Sequence, residues 1–322
     1  MTLRTRLTER LDLEHPVILG GMGSGTVPAM VGAVSGAGGL GVLGCTRFGG
    51  AAIAEQVAGI RRITDRPFGL NLLLFASGDD AVDAVLAQRP NVFSTAWPWP
   101  EQPLRPLFDR AHDQGCTVMH MVPAVDEAER AAEAGADVIV AQGTEGGGHV
   151  GLVATMVLVP MVARAVAPVP VVAAGGIATG AQLAASLMLG AEGVLMGTRF
   201  LATDESPWPQ SFKQAIVDSD GHDTMLTEIP DIARSSVWPG ALDRARRNAF
   251  IERWAGREAE VRRRRAEVAS DMARARSEGD AANGELNFGQ TAGLIDAIEP
   301  CAEVVRRVVA EATDILRSRV PA

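Results

Sequence analysis

The chain has no tyrosine, and it has a single lysine, Lys213, among 30 basic residues. The first absence removes the phenol as a general acid. The second excludes any mechanism that needs several lysines, and Lys213 lies in a helical stretch with nothing to single it out. Cysteine occurs three times, at Cys45, Cys116 and Cys301, far apart and without metal-ligand spacing. That pattern fits a reducing cytoplasm and implies no metal site. No apolar run reaches the ~18 residues that span a bilayer. The start, residues 1–7, lacks the apolar centre of a secretion signal, so a cytoplasmic protein is expected. Positive charge is also short. The net charge of −9 argues against nucleic acid as a partner.

What is present is a composition of 47% apolar residues and 35 glycines over 322 residues, enough for a large core. Short apolar runs alternate with alanine-rich helical segments, the pattern of parallel βαβ units. Strands are expected at 16–19, 40–43, 68–74, 92–94, 117–121, 137–141, 169–174 and 193–196. Helices are expected between them, at 28–35, 51–63, 80–87, 104–114, 125–134, 154–165 and 179–189, with Thr179 as an N-cap. Eight strands with short intervening helices close into a (β/α)8 TIM barrel. The first glycine turn, at 20–25, lacks the Gly-x-Gly-x-x-Gly spacing of an open dinucleotide-binding sheet. Periodicity changes after the eighth strand. Residues 204–240 are rich in Pro, Asp and Ser, residues 241–277 read as an Arg- and Ala-rich helical region, and an amphipathic helix resumes at 300–317. The barrel is therefore assigned to 1–203 and 286–322, with a small, mainly helical domain inserted at 204–285.

The stretch Ala141-Gln142-Gly143-Thr144-Glu145-Gly146-Gly147-Gly148-His149 follows the sixth strand. Four glycines allow backbone to lie close against a flat ligand, and one histidine closes the turn on the catalytic face of a barrel. A solvated histidine in an ordinary tight turn is the plainer alternative. Two further glycine turns, Ala174-Gly175-Gly176-Ile177 and Leu195-Met196-Gly197-Thr198, end the seventh and eighth strands, where barrels often hold a phosphate. They would serve equally for simple chain reversal. Asn71 inside a strand and Gln142 at a strand end place amides where a heterocycle edge could meet them, unless neighbouring backbone satisfies them.

Together these stretches, with residues 67–71 and Phe288-Gly289-Gln290-Thr291-Ala292-Gly293, resemble nitronate monooxygenases in the same order along nearly the whole chain. The resemblance implies an FMN-binding barrel with a domain inserted after the last strand. It implies that Gly21, Met22, Asn71, Gln142 and Gly147 contact the flavin, that Gly175, Gly176, Leu195, Met196, Gly197 and Thr198 form the phosphate cup, and that Gln290 reaches into the same pocket. His149 matches the active-site histidine. The implied reaction takes an alkyl nitronate, or a nitroalkane, with O2 to a carbonyl compound and nitrite. Relatives on the same scaffold include an FMN-dependent enoyl-thioester reductase, which uses NAD(P)H, and this is the first alternative. A non-redox barrel for a phosphate ligand is the second.

The chain departs from the family in several places. A glycine, Gly21, precedes Met22 where many members have proline. Gly146 stands where alanine or serine is common. The fourth loop, Ser94-Thr95-Ala96-Trp97-Pro98-Trp99-Pro100, carries two tryptophans that could wall a pocket for a bulky substrate or pack against the inserted domain. Residues 218–223 lack the ligands of a calcium loop and read as an acidic surface turn. Arg262 to Arg265 read as a solvated face. His15, His112 and His120 need no role. The oligomeric state is left open, with a homodimer as the candidate.

Overall fold

The computed structural model describes residues 3–319; Met1, Thr2 and residues 320–322, the outermost positions of the barrel assignment, lie outside the described residues. Eight parallel strands close into a barrel: β1 (Val17–Leu19), β2 (Leu40–Gly44), β3 (Phe68–Leu73), β4 (Val92–Ala96), β5 (Thr117–Val122), β6 (Val138–Gln142), β8 (Val171–Ala174) and β9 (Gly193–Met196). β9 closes on β1 through the Val17↔Val194, Ile18↔Leu195 and Leu19↔Met196 register. Each barrel strand lies where the apolar runs predict it, with ends shifted by at most two residues.

The core has two layers. Ile18, Leu40, Val42, Val92, Met119, Val138, Val140 and Val172 fill the barrel interior. Their alternates, such as Val17, Leu43, Phe93, Ile139 and Val194, pack outward under the helices. A helix unforeseen in the sequence, Arg6–Leu11, is started by a Thr5–Thr8 capping box and buries Leu7 and Leu11 against the interior layer. It closes the N-terminal mouth of the barrel and leaves the other end to the loops.

The inserted segment is less helical than expected. A second sheet, three-stranded and antiparallel, has the order β10 (Thr224–Thr227), β11 (Leu242–Arg246), β7 (Gly148–Val150). β11 falls at the start of the region read as one long helix. The rest of that region breaks into helices Ala249–Trp254, Glu258–Arg263 and Arg265–Glu278, with Gly256 at φ +77 between the first two. Arg264 pairs with Glu260 and Glu267 on the exposed face, as the charge pattern suggests. β7 comes from the loop after β6, so the barrel lends a strand to the inserted sheet.

The segment returns to the barrel through Arg199, which is fully buried and donates to the carbonyls of Ala202 and Ala297. Burial lowers its pKa to about 10, opposed by nearby Glu299. The last helix, Cys301–Arg319, then packs on helix Gly180–Met188. A Cβ at Gly180 would lie 2.5 Å from Ala312 N and from Val308 O. Gly180→Ala is expected to destabilise the fold by about 1–3 kcal/mol through overpacking, despite alanine's better helix propensity. A thermal or urea midpoint equal to or above that of the parent chain would overturn this.

Candidate active site

The loops at the C-terminal mouth approach one another through glycine. A Cβ on Gly147 would stand 2.4 Å from Phe288 C and 2.5 Å from Gly289 N; one on Gly289 would meet Glu145 O at 2.5 Å. A Cβ on Gly143 would overlap Thr155, and one on Gly175, at φ +85, would lie 2.5 Å from Gly143 O. These glycines therefore lock loop on loop, a reason beyond the open platform expected from sequence. Gly148, at φ +73, has open space beside it. Glu145 completes the lock. Its carboxylate accepts from Thr155 N at 2.9 Å, and Gln290 N donates to its carbonyl at 3.0 Å. The Thr155 hydroxyl lies 2.9 Å from both Glu145 Oε2 and Gly175 O.

Around this lock the residues singled out in the sequence gather. Gly21 and Met22 follow β1, and a Cβ on Gly21 would press on Asn71 Cβ at 2.6 Å. Asn71, nearly buried on β3, donates from Nδ2 to Ser94 Oγ at 3.0 Å, so part of its amide is already engaged. Gln142 ends β6 with its Oε1 buried and without a partner. Gly175 and Gly176, at φ +85 and +74, follow β8. Leu195 and Met196 end β9; a Cβ on Gly197 would lie 3.2 Å from Met22 Sδ. Thr198 Oγ accepts from Gly289 N at 2.9 Å and keeps its own proton to donate. Gln290 is exposed at the rim. An orphaned acceptor, bare glycine turns and a free hydroxyl on adjoining strand ends fit a flat heterocycle carrying a phosphate. A shallow cleft lined by Phe250, Arg253, Asp271 and Arg274 contains no barrel residue and lies outside this arrangement.

His149 stands on β7 and points into a setting the sequence did not disclose. Its Nε2 lies 2.9 Å from Asp231 Oδ2, with side-chain exposures of 10% and 13%. Asp231 lies on helix Ile229–Arg234, 82 residues on. Directly opposite His149 in the sheet is Asp243 of β11, completely buried, with neither carboxylate oxygen hydrogen-bonded. Trp238 lies flat on the imidazole, with centroids 3.5 Å apart and planes 9° apart. Phe75 and Trp97 pack on Trp238, and Trp99 edges Phe75. Trp97, at φ +54 and 4% exposed, thus packs against the inserted segment, while Trp99 is 43% exposed. No local sequence signal marks Asp231, Asp243 or Trp238, because each meets His149 only in the folded chain: Asp243 across the second sheet, Asp231 and Trp238 from the helix and loop between β10 and β11. His120, by contrast, is a core residue, lowered to about 3 by burial, with Nδ1 2.7 Å from Thr95 Oγ1.

Burial raises the Asp243 carboxyl to about 6. Proximity to His149 opposes that shift, Asp231 adds to it and Arg234 opposes it. The folded chain therefore binds this proton more tightly than the unfolded chain. The associated stability is complete below about pH 4 and is lost as pH rises through about 6. Asp243→Asn is expected to cut the loss of stability between pH 4 and 6 by about 2 kcal/mol. Parallel stability-versus-pH curves for parent and variant would refute it.

The model of the nitronate monooxygenase family matches residues 4–84 and 76–311. A (3aS,4S,5R,7aS)-5-hydroxy-7a-methyl-1-oxo-octahydro-1H-indene-4-carboxyl-CoA dehydrogenase of Mycobacterium tuberculosis is 33% identical over 99% of this chain and 98% of its own. A probable nitronate monooxygenase of Staphylococcus saprophyticus is 33% identical over 71% of this chain and 77% of its own. The structure of FabK from Thermotoga maritima superposes with a TM-score of 0.87 at 34% identity, covering 98% of this chain and 97% of that one. No helix among the described residues is long and apolar enough to cross a membrane. A closed eight-stranded barrel, its glycine-locked mouth and a family match along almost its whole length make this chain an oxidoreductase of the nitronate monooxygenase family, whose cofactor is a flavin.

Proposed function

We propose that the chain is an FMN-dependent oxidoreductase that oxidises nitroalkanes or their nitronates with O2 to carbonyl compounds and nitrite. The observation that carries this reading is a single imidazole, hydrogen-bonded to a carboxylate, in the same loop as the glycines that lock the barrel mouth. Gln142 Oε1 would accept from the flavin ring, with Gly21, Met22, Asn71 and Gly147 beside it and Gln290 at the rim. Thr198 and the Gly175, Gly176 and Gly197 backbone would hold the phosphate, and Leu195 and Met196 would floor the cup. Bound FMN supplies the electron-accepting chemistry. His149 holds or removes the substrate proton, a task suited to an imidazole. Two acidic side chains beside it favour a substrate that arrives neutral and gives up a proton there. The packed loops and Trp238 limit water at that point.

A second reading has its own support. Phe75, Trp97, Trp99 and Trp238 form an aromatic wall beside His149. Such a wall suits a bulky alicyclic group better than a small nitroalkane. The Mycobacterium relative, matched from end to end, is named for a fused-ring hydroxyacyl-CoA. On this reading His149 takes the proton of a ring hydroxyl, and the nitronate activity is secondary.

Purified protein should carry a flavin spectrum. Oxygen uptake with nitrite release from 2-nitropropane or its nitronate is the result expected from the first reading. Anaerobic bleaching by a cyclic hydroxyacyl-CoA, without response to either nitro compound, would replace it with the second. His149→Ala should keep the flavin and lose turnover by about 10²–10⁴-fold. Undiminished turnover would remove His149 from the chemistry.

A further inference from the structure

The surroundings of His149 are more specialised than one hydrogen bond requires. Asp231 reaches Nε2 from helix Ile229–Arg234, and Asp243 stands opposite on β11. The Asp243 carboxylate is fully buried and lacks any hydrogen-bond donor. Buried carboxylates are ordinarily hydrogen-bonded, so an unpartnered one calls for a local compensation. The nearby basic side chain is Arg234, and its guanidinium is held bidentately by Glu285, which Asn287 also braces. Arg47 and Arg276 add positive charge around Arg234 itself. Asp243 therefore shares Arg234 with Glu285 and faces the imidazole across the strand pair. Trp238 covers one ring face and brings an electron-rich surface that also favours a cation. Among the described residues no hydrogen bond engages His149 Nδ1.

We propose that Asp231 is a positioning residue for His149, fixing the proton on Nε2 and the lone pair on Nδ1, and that Asp243 is the second carboxylate that stabilises the imidazolium formed in the reaction. The proposal rests on the reading of His149 as the proton-transfer group. In the step itself, the substrate C–H or O–H bond breaks and a new Nδ1–H bond forms. The electron pair stays with the substrate for the oxidation. Nε2–H remains bonded to Asp231, which stays ionised and balances the new positive charge. Neither carboxylate takes the substrate proton.

The test uses the flavin-loaded full-length protein. In 15N-histidine-labelled parent protein, the His149 resonances should report a protonated Nε2 and a pyridine-like Nδ1; assignment comes from the His149→Ala spectrum. A protonated Nδ1 in the neutral ring would overturn the proposal, whatever any variant does. Asp231→Asn should keep bound flavin, change KM less than about threefold and lower kcat by about 10²–10³-fold. The substrate deuterium isotope effect should rise, and Asp231→Glu should recover part of the loss. For Asp243→Asn the acid limb of the kcat/KM profile should move to lower pH, because one carboxylate favouring the charged ring is gone. Asp231→Asn with parental kcat and isotope effect, while His149→Ala is inactive, would overturn the positioning role alone. Activity retained in His149→Ala would instead overturn the reading beneath it.

Discussion

Contact between backbones at the barrel mouth is the constraint on which the rest of the site depends. Gly143, Gly147, Gly175 and Gly289 each meet another main chain at a distance no Cβ tolerates. Three separate loops are thereby fused into one rigid floor, and the Glu145 carboxylate braces that floor from within by bonding Thr155. A rigid floor matters because catalytic geometry degrades with small displacements. It also fixes where the chain must go after Gly148, and so where β7 begins.

The strands of the barrel were legible because each is a short apolar run flanked by helical alanine-rich sequence, and buried parallel strands leave that trace. The glycine turns were legible for the same local reason. The opening helix leaves little trace in the sequence because its six residues carry too little periodicity, although Thr5 and Thr8 do form a capping box. β7 and β11 were hidden for a different reason. Gly148, His149 and Val150 look like the tail of a turn until Leu242, Asp243 and Arg244 pair with them. Asp231 and Asp243 look like ordinary acidic residues of a polar segment. Their roles around His149 arise from pairing across some 90 residues, which no window of sequence contains. The reason for the glycines is only partly visible in sequence, since Gly147 and Gly289 serve each other.

The division of labour between the two layers follows. Barrel strand ends supply glycine turns, the Gln142 acceptor and the Thr198 hydroxyl, groups suited to holding a cofactor. The inserted segment supplies Asp231, Asp243 and Trp238, groups that surround the imidazole. Relatives sharing the barrel carry names as different as a carboxyl-CoA dehydrogenase and a nitronate monooxygenase. Changing the inserted segment and the fourth loop above a glycine-locked floor is a physically economical route to such diversity.

β7 gives this arrangement a mechanical property. The strand that bears the imidazole is hydrogen-bonded into the sheet of the inserted segment, while its own loop is clamped to the barrel. The segment therefore cannot swing as a hinged cover above a stationary base. Any tilt would drag the imidazole with it or tear the β7–β11 ladder apart. Access for a reactant must come from smaller adjustments at the indole of Trp238, whose loop runs between left-handed Ser235 and Gly240.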